Sequence, residues 1–355
     1  MSKEEIVIKI HLYKFIKGEF FMKKKILGVG IVVVLILMLI ILTGCGNDST
    51  EKNNDGGDNS SSNTQDVELY PVKDEETDTY GYVDNTGNWV IEPKYESASG
   101  FDPETGLAMV WTSNKGFDHG FINKKGELVI EDKYGRGTSS FYNGYAVVET
   151  EIKGGSSNTY YTKMLIDKDQ NVIIPDGKYI EMTDVSKNGL VGVVSDAGMQ
   201  YINLDGTLAF DKKFGSNGTG FNANGIAAVE TAVLSNSYIL IDEQGNQIGD
   251  KTYGEITKLN DNNYGFAHNI DGYAIINGNG EFLSEHIYED TSEFNNSNLA
   301  MVKNENEKEW HLINNEGKKL NDNTYKSYRL LLDGKWVVTL TDGKHQILNA
   351  DGSIL

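Results

Sequence analysis

The fold of this protein is indicated most clearly by residues 80–95, YGYVDNTGNWVIEPKY. Tyr82 and Val83 come before Asp84, and two polar residues then lead to Gly87. An Asp side chain at the first position of a turn can accept hydrogen bonds from the backbone ahead, and Gly at the fourth position accepts a positive φ. The stretch therefore predicts a β-hairpin closed by a type I turn with a bulge.

The same pattern recurs along the rest of the chain, with Asp or Asn at the first turn position and usually Gly at the fourth. The eight predicted turns are Asp84 with Gly87, Asn123 with Gly126, Asp167 with Gln170, Asn203 with Gly206, Asp242 with Gly245, Asn277 with Gly280, Asn314 with Gly317, and Asn349 with Gly352. Turn chemistry explains all eight pairs, so they are predicted to be structural turn formers and not ligands.

Two further landmarks accompany each turn. An aromatic residue follows the glycine position by eight or nine residues, at Tyr95, Tyr134, Tyr179, Phe214, Tyr253, Tyr288 and Tyr325. Small apolar runs lie between the hairpins, at residues 107–110, 145–148, 226–229 and 299–302. Each unit is therefore predicted to contain three short antiparallel strands and a loop, and the recurring aromatics are predicted to be core residues.

These residues resemble the WG repeat, also called KWG, whose consensus runs roughly W-G-Y-I-D-x-x-G-x-x-V-I-P-x-x-Y and then F-x-x-G-L-A-x-V. The copy at residues 80–95 fits best, and the copy that begins at His119 and Gly120 is similar. The resemblance covers residues 69–355, and it implies a repeat domain at residues 67–355 with no catalytic motif to transfer. The Trp position of the consensus is held here by Tyr80, His119, Lys163, Met199, Tyr238, Tyr273, Trp310 and His345.

The predicted fold class is all-β, a repeat protein of about eight three-stranded units. Such units recur every 35 to 44 residues and must stack to bury both faces of each sheet. A β-propeller is favoured over an open β-solenoid, because a closed ring leaves few strand edges exposed. The chain enters the repeats at the apolar strand, residues 69–72, and leaves them after the hairpin, so the two terminal pieces are expected to complete one shared unit.

The N-terminal region predicts a lipid anchor. The basic residues 23–25 and the apolar run 26–42 make a secretory signal over residues 22–44. The sequence Leu42-Thr43-Gly44-Cys45 resembles the lipobox of bacterial lipoproteins, in which the cysteine receives a diacylglycerol, with palmitate among the expected acyl chains, and becomes the first residue. The alternative is an uncleaved membrane helix, although 17 apolar residues are fewer than the roughly 20 that span a bilayer.

Two other segments complete the predicted organisation. Residues 1–21 carry three glutamates ahead of a complete signal and are predicted to be an over-called extension, with translation starting at Met22. Residues 45–66 comprise the lipidated cysteine and a flexible linker, because residues 46–66 contain no aliphatic or aromatic side chain that could be buried.

The charge and the missing motifs exclude several functions. The whole chain has a net charge of −20, and residues 1–44 hold seven lysines and three glutamates, which leaves −24 for the remainder. Nucleic acid is therefore not an expected partner. No histidines have metal-ligand spacing, and no common catalytic motif occurs, so the sequence predicts no enzyme, no cofactor and no metal site.

The predicted function is a binding or interaction scaffold for protein, peptide or cell-wall ligands. The alternative is a glycan-active extracellular hydrolase on a β-propeller, with acidic residues gathered at a central channel. The lipobox and the Lys-, Asn- and Ile-rich composition predict a lipid-anchored position on the outer face of the cell membrane, in a low-GC Gram-positive bacterium. In that setting the membrane is contacted through the lipid anchor alone.

Overall fold

A computed structural model describes residues 67–113, 118–153, 159–285 and 287–355. Glu68 to Leu355 form one compact unit, and the described residues contain strands and turns but no helix. The strands are β1 (Tyr70–Lys73), β2 (Tyr80–Val83), β3 (Trp89–Tyr95), β4 (Ser97–Ala98), β5 (Ala108–Trp111), β6 (His119–Ile122), β7 (Leu128–Tyr134), β8 (Tyr145–Lys153), β9 (Thr159–Asp167), β10 (Val172–Tyr179), β11 (Glu181–Met182), β12 (Leu190–Ser195), β13 (Gly198–Asn203), β14 (Ala227–Glu230), β15 (Tyr238–Ile241), β16 (Gln247–Tyr253), β17 (Glu255–Ile256), β18 (Tyr264–Asn269), β19 (Gly272–Asn277), β20 (Tyr288–Thr291), β21 (Leu299–Asn304), β22 (His311–Asn314), β23 (Tyr325–Leu330), β24 (Trp336–Leu340) and β25 (His345–Leu348).

The strands form small antiparallel sheets, most of them with three strands. An all-β fold of many small sheets is what the sequence predicts. For description we name one unit for each Asp/Asn turn: unit 1 is residues 69–95, unit 2 is 97–134, unit 3 is 138–179 and unit 4 is 181–214. Unit 5 is residues 218–253, unit 6 is 255–288, unit 7 is 290–325 and unit 8 is 327–355.

The expectation that the two terminal pieces complete one shared unit is wrong. Strand β1 pairs with β2 of the hairpin that follows it, with Tyr70 opposite Val83, and β24 pairs with β25 in the same way. The apolar strand therefore belongs to the hairpin that comes after it, because a short connection lets the two strands pair antiparallel in register. Within the described chain, each terminal unit takes its sheet from one continuous segment.

One cross-strand pair recurs in units 1 to 7. The residue at the Trp position of the repeat lies directly opposite the aromatic residue that follows the turn. The pairs are Tyr80 with Tyr95, His119 with Tyr134, Lys163 with Tyr179, Met199 with Phe214, Tyr238 with Tyr253, Tyr273 with Tyr288, and Trp310 with Tyr325. Packing between directly opposite side chains is a main source of sheet stability, which accounts for the fixed spacing of the aromatics.

The glycine after the Trp position allows a close approach of two strands in units 1 and 2. A Cβ atom on Gly81 would lie 2.5 Å from the carbonyl oxygen of Ile91, and one on Gly120 would lie 2.7 Å from that of Ile130. Strand pairing is irregular at both places, so the third strand bulges across the glycine. A side chain at either position would force the strands apart.

Apolar cores lie between units and not within them. Seven clusters of buried residues join unit 1 to unit 2, unit 2 to unit 3, and so on up to units 7 and 8. In the second cluster, for example, Phe121 of unit 2 packs against Phe141 of unit 3, with ring centroids 4.8 Å apart. The eighth cluster combines Tyr70 and Val83 of unit 1 with Leu331 of unit 8.

Polar contacts also connect the first and last units. Nε2 of His345 lies 3.0 Å from the carbonyl oxygen of Lys73, and Nζ of Lys335 lies 3.1 Å from a carboxylate oxygen of Glu68. The guanidinium of Arg329 in unit 8 lies over the ring of Tyr80 in unit 1, at 5.0 Å from its centroid, and it also donates to the carbonyl oxygen of Ala98 in unit 2. Residues more than 200 positions apart in the chain are thus adjacent.

Candidate functional site

The predicted turn residues lie in tight turns at the ends of the hairpins. Oδ1 of Asp84 accepts hydrogen bonds from the backbone N–H groups of Thr86 (2.8 Å) and Asn88 (3.0 Å), while Gly87 has a φ of +84°. The same side-chain bonds occur at Asn123, Asp167, Asp242, Asn277 and Asn314. Gln170, which replaces glycine in unit 3, also has a positive φ, of 65°. These side chains are therefore occupied by their own turns.

Two of the eight turns use a different acceptor. In units 4 and 8 the residue two positions later, Asp205 or Asp351, accepts the backbone N–H of Thr207 or Ser353. Asn203 instead donates to the hydroxyl of Thr207 at 3.0 Å, and the corresponding bond from Asn349 to Ser353 has the same length. A carboxylate oxygen two positions later thus takes the place of the side-chain oxygen of the first turn residue as acceptor.

The histidines are distributed among different units. His119 stacks on Trp111 with centroids 5.3 Å apart, and burial lowers its pKa. His311 contacts Glu307 at 2.8 Å, and His345 bonds to the backbone of unit 1. His286 lies outside the described residues. In the part of the chain that the structure describes, no three His, Cys, Asp or Glu side chains are placed to hold a metal ion.

A Ser or Thr residue that the sequence analysis missed recurs before the apolar strand. The hydroxyl of Thr183 accepts the backbone N–H of Gly192 at 2.9 Å and donates to the carbonyl oxygen of Asp184 at 3.0 Å. Equivalent residues with the same hydroxyl-to-strand bond are Ser99, Ser139, Thr219, Thr257 and Ser292. The spacing Ser/Thr-x-Phe/Val/Leu was the signal that could have revealed it.

The residue after this hydroxyl defines one position in each unit, which we call the ring position. Its occupants are Gly100, Ser140, Asp184, Gly220, Lys258, Glu293 and Arg329, in units 2 to 8. In units 2 to 7 the hydroxyl bond fixes the backbone on one side, and a buried or partly buried Phe, Val or Leu follows on the other. The side chain between them is therefore held at a defined place in these six units, whereas in unit 8 Tyr328 precedes Arg329.

Ring-position side chains from distant units meet at Lys258. The ammonium of Lys258 lies 3.7 Å from a carboxylate oxygen of Asp184 in unit 4 and 4.7 Å from the ring centroid of Tyr142 in unit 3. Burial works to lower the pKa of Lys258, but Asp184, Tyr142, Glu293 and Asp261 outweigh it and raise that pKa. Units 3, 4, 6 and 7 therefore converge on one ammonium group. We call Tyr142, Asp184, Lys258 and Glu293 the central cluster.

A second ion pair joins the same two units in the opposite sense. Nζ of Lys187 in unit 4 lies 2.8 Å from Oδ2 of Asp261 in unit 6. Asp184 and Lys258 occupy equivalent places in units 4 and 6, and so do Lys187 and Asp261. At each place the charge in unit 4 is opposite to the charge in unit 6. Unit 5 lies between them in the chain and has only Gly220 and Ala223 at these places, so no long side chain blocks the contact.

The carboxyl groups of this region differ in their environments. Burial raises the pKa of Asp261, but the hydrogen bond from Lys187 and that from the backbone of Ala223 (3.0 Å) bring the net pKa below its usual range. Glu293 is reached by solvent, yet desolvation by the surrounding protein is the largest cause of its raised pKa, and Asp184 raises it further against the pull of Lys258.

Buried asparagines of units 5 to 7 border this region. The side-chain amide of Asn222 donates to the backbone carbonyl of Asn260 at 2.9 Å, Asn260 donates to that of Asn295 at 2.7 Å, and Asn295 donates to that of Gly334 at 2.9 Å. Each amide therefore ties its own turn to the turn of the next unit. This asparagine spine holds the turns that carry Asp261 and Asn296 beside the central cluster.

Several predictions fall outside the described residues, namely the extension 1–21, the signal 22–44, the lipobox Leu42, Thr43, Gly44 and Cys45, and the linker up to residue 66. Among the described residues, no helix has the length and apolar character needed to cross a bilayer.

Comparison with known proteins supports the repeat and the fold class. No curated protein sequence matches significantly. A crystal structure of a eukaryotic initiation factor has a TM-score of 0.51 at 10% identity, covering 81% of this chain and 94% of that one. Dihydro-heme d1 dehydrogenase NirN, in complex with DHE, has a TM-score of 0.52 at 12% identity, covering 81% of this chain and 72% of that one. At such low identity these propeller-like structures inform the fold alone.

The family model for the WG containing repeat matches residues 80–115, 120–151 and 273–308. The first two matches include the close glycines Gly81 and Gly120, and the third begins at Tyr273, which lies opposite Tyr288. Each match thus starts at or just after the Trp position and runs through an Asp/Asn turn. The chain therefore carries WG-containing repeats in three places, on an all-β fold with propeller-like structural neighbours.

Proposed function

We propose that units 1 to 8 are the blades of a closed β-propeller that acts as a tethered, extracytoplasmic binding module. Two sets of contacts support closure. The apolar cluster between units 8 and 1 repeats the arrangement between the other neighbours, and His345 and Lys335 add polar contacts to Lys73 and Glu68. In a ring of blades, distant blades approach one another only near the central axis, which accounts for the contacts of Lys258 with units 3 and 4.

The observation that carries the binding role is the convergence of polar side chains from four units at the central cluster. Recesses that combine an aromatic face with a few charged groups are typical ligand sites. The expected ligands are proteins, peptides or cell-wall components that meet the module outside the cell membrane. Cys45, when lipidated, holds the module at the outer face of that membrane, and residues 46–66 give a reach of about 25 Å for a flexible coil.

Binding is tested with the full-length protein in detergent, mixed with purified peptidoglycan and with wall peptides. We expect saturable binding, measured by co-sedimentation and by fluorescence anisotropy, and unchanged ligand in mass spectra after incubation. The same binding by a variant with both Asp184 and Lys258 replaced by Ala would contradict the central site. Small-angle scattering should give a compact particle, and an elongated profile would contradict the closed ring.

A glycan-active hydrolase is the second candidate, and one observation favours it. The pKa of Glu293 is raised and that of Asp261 is lowered, and such divergence is what separates a general acid from a base in glycosidases. If the protein is a hydrolase, glycan fragments should appear with wild type and disappear with Glu293→Gln. Intact glycan with both proteins excludes this candidate for the substrates used.

A further inference from the structure

Asn279 differs from the other asparagines that directly precede a glycine. Six Asn–Gly steps occur, at Asn143, Asn188, Asn217, Asn224, Asn277 and Asn279. In the first five the side-chain amide nitrogen donates a hydrogen bond, to the backbone carbonyl of Val185, the carboxylate of Glu243, the carboxylate of Glu230, the backbone carbonyl of Asp261 and the carboxylate of Glu281, respectively. Within the described chain, the side-chain amide of Asn279 donates no such bond, and its backbone N–H donates to Oδ1 of Asn277 at 3.0 Å.

Exposure and backbone bonding do not account for this difference. Asn188, Asn224 and Asn279 are all exposed, and each is the third residue of a tight turn that ends in a glycine of positive φ. The N–H groups of these glycines donate to the first residue of their turns at similar lengths, 2.9 Å for Gly189, 3.1 Å for Gly225 and 2.9 Å for Gly280. The freedom of its side-chain amide is therefore what distinguishes Asn279.

A free asparagine amide next to a glycine can react with the main chain. When the turn opens briefly, the backbone nitrogen of Gly280 can attack Cγ of Asn279, because glycine has no side chain to hinder the approach. A bond from this nitrogen to Cγ forms and the bond from Cγ to Nδ2 breaks. The N–H proton passes to the buffer, and the amide nitrogen takes up a proton and leaves as ammonia. The product is a cyclic imide.

Water then opens the imide at one of its two carbonyl carbons. Opening at the main-chain carbonyl gives isoaspartate, in which the chain runs through Cβ and Cγ and is one carbon longer. Opening at Cγ gives aspartate with the original main chain. Both products add a negative charge at an exposed position, but isoaspartate alone displaces the glycine that follows.

The displaced glycine takes part in the contact between units 5 and 6. The carbonyl oxygen of Gly280 accepts the hydroxyl of Tyr253 at 2.5 Å, and this bond is buried. Tyr253 also belongs to the apolar cluster that includes Ile276 of unit 6. An additional main-chain carbon directly before Gly280 moves the carbonyl away from the tyrosine and leaves a buried hydroxyl without its acceptor, which destabilises the folded protein.

We propose that Asn279 is a site of spontaneous deamidation, and that the isoaspartate formed there loosens the contact between units 5 and 6. The modification needs only water and no enzyme. It goes beyond the proposed binding function and is independent of any ligand.

The test follows the six Asn–Gly steps during incubation of the full-length protein in detergent at mildly alkaline pH. Peptide mass spectrometry measures acid formation at each step, and isoaspartyl methyltransferase labels the isoaspartate. We expect acid at position 279 to form about tenfold faster than at 188 and 224, because one ordinary hydrogen bond lowers the population of the free amide by about that factor. Acid at 279 that forms no faster than at 188 and 224 overturns the proposal.

A variant tests whether side-chain freedom is the cause. Glu243→Ala removes the acceptor of Asn188, so acid at position 188 should form about tenfold faster than in wild type. Position 224, whose acceptors are unchanged, is the control within the same protein. An unchanged rate at 188 contradicts the role of side-chain freedom.

Thermal melts test the effect on the contact between units. Aged wild type should melt about 2–4 °C lower than fresh protein, as expected for one lost buried bond. Asn279→Gln should be unaffected by ageing, since its longer side chain does not form the five-membered ring. Fresh Asn279→Asp carries the charge without the longer chain and should melt as fresh wild type. Equal losses in aged wild type and aged Asn279→Gln, or the full loss already in fresh Asn279→Asp, overturn the effect of isoaspartate.

Discussion

Lys187 and Asp261 form an ion pair of 2.8 Å although the whole of unit 5 separates them in the chain. The pair has a counterpart in Lys258 and Asp184, with the signs exchanged. Together the two ion pairs restrict the position of unit 4 relative to unit 6 more than either pair would alone.

The reciprocal pairing predicts rescue by charge exchange. Lys187→Asp should lower the free energy of unfolding by up to about 1 kcal/mol, since Lys187 is half exposed and solvent screens the repulsion it creates with Asp261. Adding Asp261→Lys should recover most of that loss, which denaturant titration of the four proteins would measure as coupling. The same exchange at Asp342 and Lys344, an exposed local pair, is the control and should show no coupling. Additive effects at 187 and 261 would contradict a direct pair.

The asparagine spine predicts a larger loss. Asn260→Ala removes two donated bonds, to the carbonyl of Asn295 at 2.7 Å and to Oδ1 of Asn298 at 3.0 Å, and leaves buried polar groups without a partner. The expected cost is about 1–3 kcal/mol. Asn279→Ala, at an exposed turn position, should cost less than about 0.5 kcal/mol. A thermal melt that ranks the two variants equally would rule out the spine as a stabilising element.

Glu293 predicts a pH dependence of stability with a definite sign. Its pKa is higher in the folded than in the unfolded protein, so the folded state binds more protons between those two values. Stability therefore falls as the pH rises through this window. Glu293→Gln should melt at a higher temperature than wild type above the window and at a similar temperature below it. Glu316→Gln should lose a little stability at neutral pH, because Lys318 lowers the pKa of Glu316. Parallel curves for wild type and Glu293→Gln would contradict the raised pKa.

The close strand approach at Gly81 predicts intolerance to any side chain. Gly81→Ala places a Cβ atom 2.5 Å from the carbonyl oxygen of Ile91, so the strands must separate at a cost of about 1–3 kcal/mol. The reverse change at the equivalent place in unit 6, Ala274→Gly, removes only a methyl group and should cost about 1 kcal/mol. Guanidinium denaturation would distinguish them. Equal and small effects would show that the bulge relaxes easily.

Lipidation is tested at Cys45. Wild-type precursor should incorporate a radiolabelled fatty acid and partition into the detergent phase. Cys45→Ser should do neither, because two acyl chains are needed for stable anchoring and the thiol is their attachment point. Gly46→Ser keeps the cysteine and should label as wild type. Labelling of Cys45→Ser at the wild-type level would contradict the lipoprotein hypothesis.

Much of the fold was predictable because its signals are local. An Asp or Asn followed three residues later by Gly specifies a turn without help from the rest of the chain, and Tyr95 opposite Tyr80 follows from the fixed length of one hairpin. The expectation that the apolar strand at residues 69–72 would complete a unit shared with the last hairpin was wrong for the opposite reason. The partner of that strand is decided by pairing across a connection whose length varies between units.

The central cluster was not predictable because three of its members share a position and not a residue type. Asp184, Lys258 and Glu293 occupy equivalent places, and no residue pattern connects them. Only the preceding Ser or Thr recurs, and hydroxyl residues are too common in this chain to stand out. The convergence depends on how the units are arranged around one another. The sequence of a single unit does not contain that information.

The apolar clusters that join neighbouring units affect how the domain unfolds. Because each cluster takes its residues from two neighbouring units, no unit has a core of its own that could remain folded alone. In an open array of repeats, damage at one end can fray locally while the rest persists. In the proposed closed ring, the cluster of Tyr70 with Leu331 would leave no such end, so heat or proteolysis should act on the whole domain at once. Because neighbouring units share their apolar clusters, we expect the domain to unfold in a single cooperative, all-or-none transition.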